Sequence, residues 1–125
     1  MKKVINIPGA PKPIGPYSQA LLINNLLYIS GQIPIDPVSG QMVQGEITVH
    51  TKQVMQNIAA LLAEAGMDFS NVVKTTIFIA DMNDFVKVNE IYSSYFVSDF
   101  PARETVQAAR LPRDSKIEIS VIASF

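Results

Sequence analysis

The sequence predicts an α+β domain in which a mixed sheet carries two helices on one face. Three observations point there: β-prone runs near both ends of the chain, two segments with helical apolar spacing, and an alternation that reads β, ββ, α, β, α, ββ. The 125 residues fit one domain, 1–125, and a composition that is 48% hydrophobic supplies a core without cross-links.

Val4-Ile-Asn-Ile7 is a short β-prone run. The Pro- and Gly-dense stretch Pro8–Pro16 forbids helix and reads as a structured connection. Ala20–Ile23 and Leu26–Ser30 form a hairpin, because Asn24-Asn25 between them tolerates the positive φ of a tight turn. Pro34–Gly40 is a turn-rich loop. Thr48 is the expected N-cap of a first helix, in which Val54, Ile58, Leu61, Leu62 and Ala65 make one apolar stripe and Gly66 is the stop. Val72–Ala80, rich in β-branched residues, reads as a central strand covered on at least one face. Asn83 caps a second helix with the stripe Phe85, Val88, Tyr92, Tyr95 and Phe96. Strands from Ala102 to about Ala109 and from Lys116 to about Ala123 follow, joined by Leu111–Ser115. One sheet face then lacks a cover, which in a chain this small predicts self-association into a closed cyclic oligomer.

Composition excludes whole classes of function. The chain has no Cys, so disulfides, thiolate zinc sites and cysteine nucleophiles fall away. A net charge of −1 argues against a phosphate-backbone binder, so no nucleic-acid partner is expected. Met1-Lys2-Lys3 leads into a β run, not a signal segment, and no apolar stretch approaches the ~20 residues of a membrane helix; the expectation is a cytoplasmic protein without a membrane partner. Motifs for a dinucleotide or a nucleoside triphosphate are absent, as is metal-ligand spacing, so neither cofactor nor metal is expected. The single histidine, His50, reads as an exposed residue of the first helix, and no Gly-x-Ser-x-Gly elbow accompanies it. Asp81 and Asp84 bracket the second helix start, where carboxylates complement the helix dipole.

What remains is charge placed in strands. Alternation puts Arg103, Thr105 and Gln107 on one face of their strand and Glu118, Ser120 and Ile122 on one face of the last. Two readings are open: a solvated sheet face, or a half-buried cleft in which a guanidinium and a carboxylate meet an anionic small molecule. If residues 111–115 close a compact hairpin, Glu118 pairs with about Ala108, and Arg103 lies some five residues further, roughly 16 Å away. A ligand of a few atoms cannot span that distance, so a shared site requires neighbouring subunits.

At these residues the chain resembles the reactive intermediate deaminase family, also called RidA or YjgF, over essentially its whole length. The resemblance rests on an ordered set of motifs. These are Ile14-Gly-Pro-Tyr-Ser-Gln-Ala20, Ser30-Gly-Gln-Ile-Pro34, Asn57 with Ala65-Gly66, Val73-Lys-Thr-Thr-Ile-Phe78, Asp81-Met-Asn-Asp-Phe85 with Val88-Asn89, Phe100-Pro-Ala-Arg103, Ala109-Arg-Leu-Pro112 and Lys116-Ile-Glu-Ile119. It implies a chorismate-mutase-like sandwich, a homotrimer with clefts between subunits, and cofactor-free hydrolysis of 2-imino acids or their enamines, such as 2-iminobutanoate and 2-iminopropanoate, to 2-oxo acids and ammonia. Arg103 matches the substrate-carboxylate arginine, whose planar fork suits two parallel hydrogen bonds. Glu118 matches the acid that handles water.

Tyr17 matches the site tyrosine, with a packed loop tyrosine as the competing reading. Gly31 matches the position whose backbone approaches the ligand, beside Ser30. Asn89 either lines the cleft or stabilises the Ser30–Gln32 loop; Phe85 either packs beside the site or belongs to the core. Many members carry Cys where this chain has Thr105, preceded here by Glu104, which should point away from Arg103. The alternatives are a non-catalytic module binding a 2-oxo acid or similar carboxylate, and an RNA-directed translation inhibitor or ribonuclease, which the lack of a basic stripe disfavours. Chorismate mutase itself would need more cationic groups for a dicarboxylate.

Overall fold

A computed structural model describes residues 1–125. The elements are β1 (Lys3–Ile5), β2 (Ala20–Ile23), β3 (Leu26–Gln32), α1 (Ile47–Glu64), β4 (Val72–Ile79), α2 (Phe85–Ser93), β5 (Ala102–Gln107) and β6 (Ile117–Ser124), in the order the sequence predicts. They build one six-stranded sheet ordered β1-β2-β3-β6-β4-β5.

The β2–β3 hairpin pairs Ile23 with Leu26 across the two asparagines, and Asn24 takes the positive φ of 52°. Val54, Ile58, Leu61 and Leu62 of the α1 stripe are buried as expected and Ala65, the C-cap, is partly buried against the core, but the helix opens at Glu46, whose side chain makes no cap, rather than at Thr48. It stops where Gly66 adopts φ 79° and Met67 N–H reaches back to the Leu62 carbonyl, a left-handed ending that glycine adopts without steric penalty. His50 is a second correction: it is 5% exposed. The reason is periodic, since stepping back from Val54 by four and seven residues puts His50 and Ile47 on the buried face with the rest of the stripe. The second helical segment begins with a 3-10 turn over Met82–Asp84 capped not by Asn83 but by Asp81, whose carboxylate accepts from Asn83 N–H at 2.9 Å. The α-helix that follows ends at Ser93, so Tyr95 and Phe96 lie just past it, still packed against the core.

The last two strands are not a hairpin. β6 inserts antiparallel between β3 and β4, and β5 runs parallel to β4 at the sheet edge. Glu118 therefore pairs with Phe78, not with Ala108. The connection between β5 and β6 holds Arg113 and Asp114 at positive φ of 55° each, in a turn that swings the chain past β4 instead of reversing it beside β5.

The alternation of β6 is complete: Ile117, Ile119, Val121 and Ala123 are buried under the helices, and Glu118, Ser120, Ile122 and Ser124 face the other way. Both helices cover the same face. α1 packs on β3 and β6, while Tyr92 of α2 bonds Thr75, the register partner of Val121. Burying isoleucines such as Ile77, Ile79, Ile117 and Ile119 completely contributes about 1.5–3 kcal/mol each, which makes the two central strands the anchor of the fold. The opposite face carries Val4, Leu21, Tyr28, Phe78, Val106 and Ile122 with no layer over them.

Candidate active site

The predicted site residues fall into two groups. Arg103, Thr105, Asn89 and Phe85 lie on the helix-covered side near the β5 edge. Tyr17, Ser30, Gly31 and Glu118 gather around the β3–β6 seam, where a β-bulge interrupts the ladder between Ile29 and Gln32.

Arg103 sits beside a depression of about 420 Å³ lined by Asn89, Tyr92, Ser93, Phe100 and Pro101. Its Nη1 donates to Asn89 Oδ1 at 2.7 Å, and its Cζ lies 5.0 Å from the Tyr92 ring centre and 5.6 Å from that of Phe85. Asn89 thus serves the arginine, not the Ser30–Gln32 loop, and Phe85 packs against the charge. No carboxylate pairs with Arg103; the ion pairs of the chain are Lys74–Glu104 and Arg110–Asp114. A half-buried guanidinium balanced by ring faces and one carboxamide keeps its Nε and Nη2 donors available to an anion. Thr105 lies two residues on, with Oγ1 buried and unpartnered. Glu104 turns to the open face, as predicted, where it meets Lys74 at 3.1 Å and accepts from Thr76 at 3.1 Å.

Glu118 sits in a depression of about 400 Å³ with Ile14, Tyr17, Ser30, Gly31, Ile33 and Pro112. Burial raises its pKa above the ordinary carboxyl value. Gly31 is required by contact: a Cβ there would lie 2.6 Å from Glu118 Oε2. Ser30 has a structural task, because its hydroxyl donates to the Ser18 carbonyl at 2.6 Å and its N–H to the Gln19 carbonyl at 2.9 Å, tying the Tyr17 loop to β3.

Two positioning residues escape sequence reasoning. Gln19 is buried and its Nε2 donates to the carbonyls of Ile7, Ala10 and Pro11, which pins the Pro-rich segment leading to Tyr17. Asn57 is buried and donates to the Ile33 and Ile35 carbonyls, fixing the wall beside Glu118. Both belong to the motifs above, but only the contacts reveal the task.

Arg103 and Glu118 do not meet within the chain. Register places Glu118 level with Phe78 and Val106, so the two sites lie about 10 Å apart along the strands and about 10 Å across them. An odd residue offset between Val106 and Arg103 also puts them on opposite faces of the sheet. The 16 Å hairpin geometry is replaced, while the separation it implied stands.

These features define a small open-faced α+β domain with an arginine pocket and a carboxylate pocket set apart. A sequence profile for the family described as Endoribonuclease L-PSP matches residues 8–125. The human 2-iminobutanoate/2-iminopropanoate deaminase is 53% identical over 123 residues, covering 98% of this chain and 90% of that protein. Among solved structures, YyfA of Yersinia pestis, from the conserved Rid protein family, superposes with a TM-score of 0.97 at 48% identity over 100% of both chains. TdcF of E. coli with bound serine does so with a TM-score of 0.94 at 36% identity over 98% of both. The chain belongs to the Endoribonuclease L-PSP family, the reactive intermediate deaminase family whose motifs it carries.

Proposed function

We propose that this chain hydrolyses 2-imino acids, of the 2-iminobutanoate and 2-iminopropanoate class, at composite sites between subunits of a homotrimer. The observation that carries the reading is the pairing of needs across the two pockets: an arginine without a counter-ion in one, and a half-buried acid without a cation in the other. Bringing the pockets of neighbouring subunits together, with the uncovered sheet face as the seam, completes both. The serine bound to the TdcF relative supports a site of small amino-acid dimensions.

Arg103 grips the substrate carboxylate through Nε and Nη2, and Asn89 holds the far side of its fork. Glu118 takes a proton from water as the oxygen adds to the protonated imine carbon, giving a carbinolamine. Glu118 then gives that proton to the nitrogen, and ammonia departs as the freed carboxylate takes the hydroxyl proton and the C=O bond forms. A carboxyl raised by burial is a better base for this step than an ordinary one, and positioned acid–base groups are worth typically 10²–10⁴ in rate. Tyr17 borders the same depression and can hydrogen-bond the water or the nitrogen. His50 lines neither pocket, which weighs against acid–base cleavage of RNA.

A coupled assay tests the reading. Threonine dehydratase generates the imine, and the wild type speeds the release of ammonia and 2-oxobutanoate. Arg103→Ala loses about 10- to 100-fold in kcat/KM, the cost of a charge-assisted pair. A wild type that binds 2-oxobutanoate without accelerating hydrolysis establishes the carboxylate-binding module instead.

A further inference from the structure

Arg103 projects from an edge strand, where a long side chain with many rotamers needs a reason to stay in one place. The contacts around it form a closed circuit. Thr75 of β4 is the register partner of Arg103. Its Oγ1 lies 2.8 Å from Tyr92 Oη, with both residues nearly fully buried. The ring of Tyr92 then faces the guanidinium at 5.0 Å, and Phe96 packs against that ring at a tilt, with centroids 4.9 Å apart. The same threonine is therefore fixed to the arginine's backbone on one side and to the ring that carries its charge on the other.

We infer that Thr75 and Tyr92 act as a positioning pair for Arg103, setting the height and plane of its guanidinium so that the Nε–Nη2 edge faces the incoming carboxylate. The pair touches no reacting atom. The inference deepens the imine-hydrolysis reading and rests on it for its kinetic consequence, but the circuit lies wholly within one chain. A hydroxyl in the buried face of a strand costs stability unless it is bonded, whereas Val in place of Thr and Phe in place of Tyr, made together, leave nothing unpaired. That asymmetry separates positioning from packing.

The test compares Thr75→Val/Tyr92→Phe, Tyr92→Phe, Tyr92→Leu and, as a control, Tyr95→Phe, all in the assembled protein. The double variant should keep a thermal midpoint close to wild type while KM for the imine and Kd for 2-oxobutanoate rise about fivefold, with kcat little changed, because the carboxylate grip acts on ground and transition states alike. Tyr92→Phe follows in the same direction, Tyr92→Leu loses more because the ring face goes too, and Tyr95→Phe leaves both constants unchanged. Nitrogen-15 relaxation of the Arg103 Nε–H group in ligand-free protein gives a readout independent of turnover, and its mobility should increase in the double variant. Unchanged Arg103 mobility together with wild-type KM and Kd would make Tyr92 a core residue only and overturn the inference. Absence of imine turnover in the wild type would defeat the functional reading alone and leave the relaxation result to decide this one.

Discussion

Gly31→Ala is the sharpest probe of the carboxylate pocket. Gly31 does not have positive φ, so alanine meets no backbone objection; what it meets is Glu118. The new Cβ would lie 2.6 Å from Oε2, 2.7 Å from Cδ and 2.9 Å from Cγ, so the carboxylate has to retreat by about 0.8 Å to restore an ordinary 3.4 Å contact. The side chain is only half-buried and can swing outward, which limits the stability loss to about 1–2 kcal/mol, at the low end for overpacking. Catalysis is less forgiving, since misplacing a reacting group by about 1 Å can cost on the order of 10²-fold. In the dehydratase-coupled assay kcat should fall by about that factor while KM stays near wild type, because the Arg103 pocket is untouched. Gly31→Ala added to Glu118→Gln should cost nothing further. A Gly31→Ala protein with wild-type kcat, folded and assembled, would remove Glu118 from the chemistry.

Other consequences can be measured separately. Burial first, then the charge of Lys116, holds the His50 pKa below its ordinary 6.5, with the Gly45 backbone acting in the opposite sense. The unfolded chain therefore takes up a proton that the folded chain refuses, so this contribution to stability is complete above pH 6.5 and is lost as pH falls towards the lowered folded value. His50→Gln should flatten that slope in denaturant titrations between about pH 7.5 and 5, and parallel curves for the two proteins would contradict it. Ile122→Lys places a charge on the uncovered sheet face opposite Tyr28; sedimentation should show smaller species and the assay a matching loss of turnover. A fully assembled, fully active Ile122→Lys protein would place the subunit seam elsewhere.

Much of this was legible in the sequence because period and position agree. The α1 stripe, the alternation of β6 and the split between Arg103 and Glu104 all follow from side-chain geometry. His50 belongs to the buried face as well, a placement that becomes visible only when the stripe is extended back past Val54. The β5–β6 pairing failed for a topological reason: neighbouring strands in sequence usually pair, yet β4, α2 and β5 form a strand–helix–strand unit whose strands run parallel. That order was visible in the sequence and is the signal that would have corrected the register. The tasks of Gln19, Asn57, Thr75 and Tyr92 were not legible, because each depends on a partner 8 to 24 residues away.

The central claim is that one subunit supplies Arg103 and its neighbour supplies Glu118. Arg103→Ala and Glu118→Gln proteins, each strongly impaired alone, can be unfolded, mixed in equal amounts and refolded together. Random assembly puts both intact residues at about one quarter of the interfaces, so the mixture should recover about one quarter of wild-type turnover. A mixture that stays as impaired as its parents, although sedimentation shows mixed oligomers, would mean that both residues must come from a single chain.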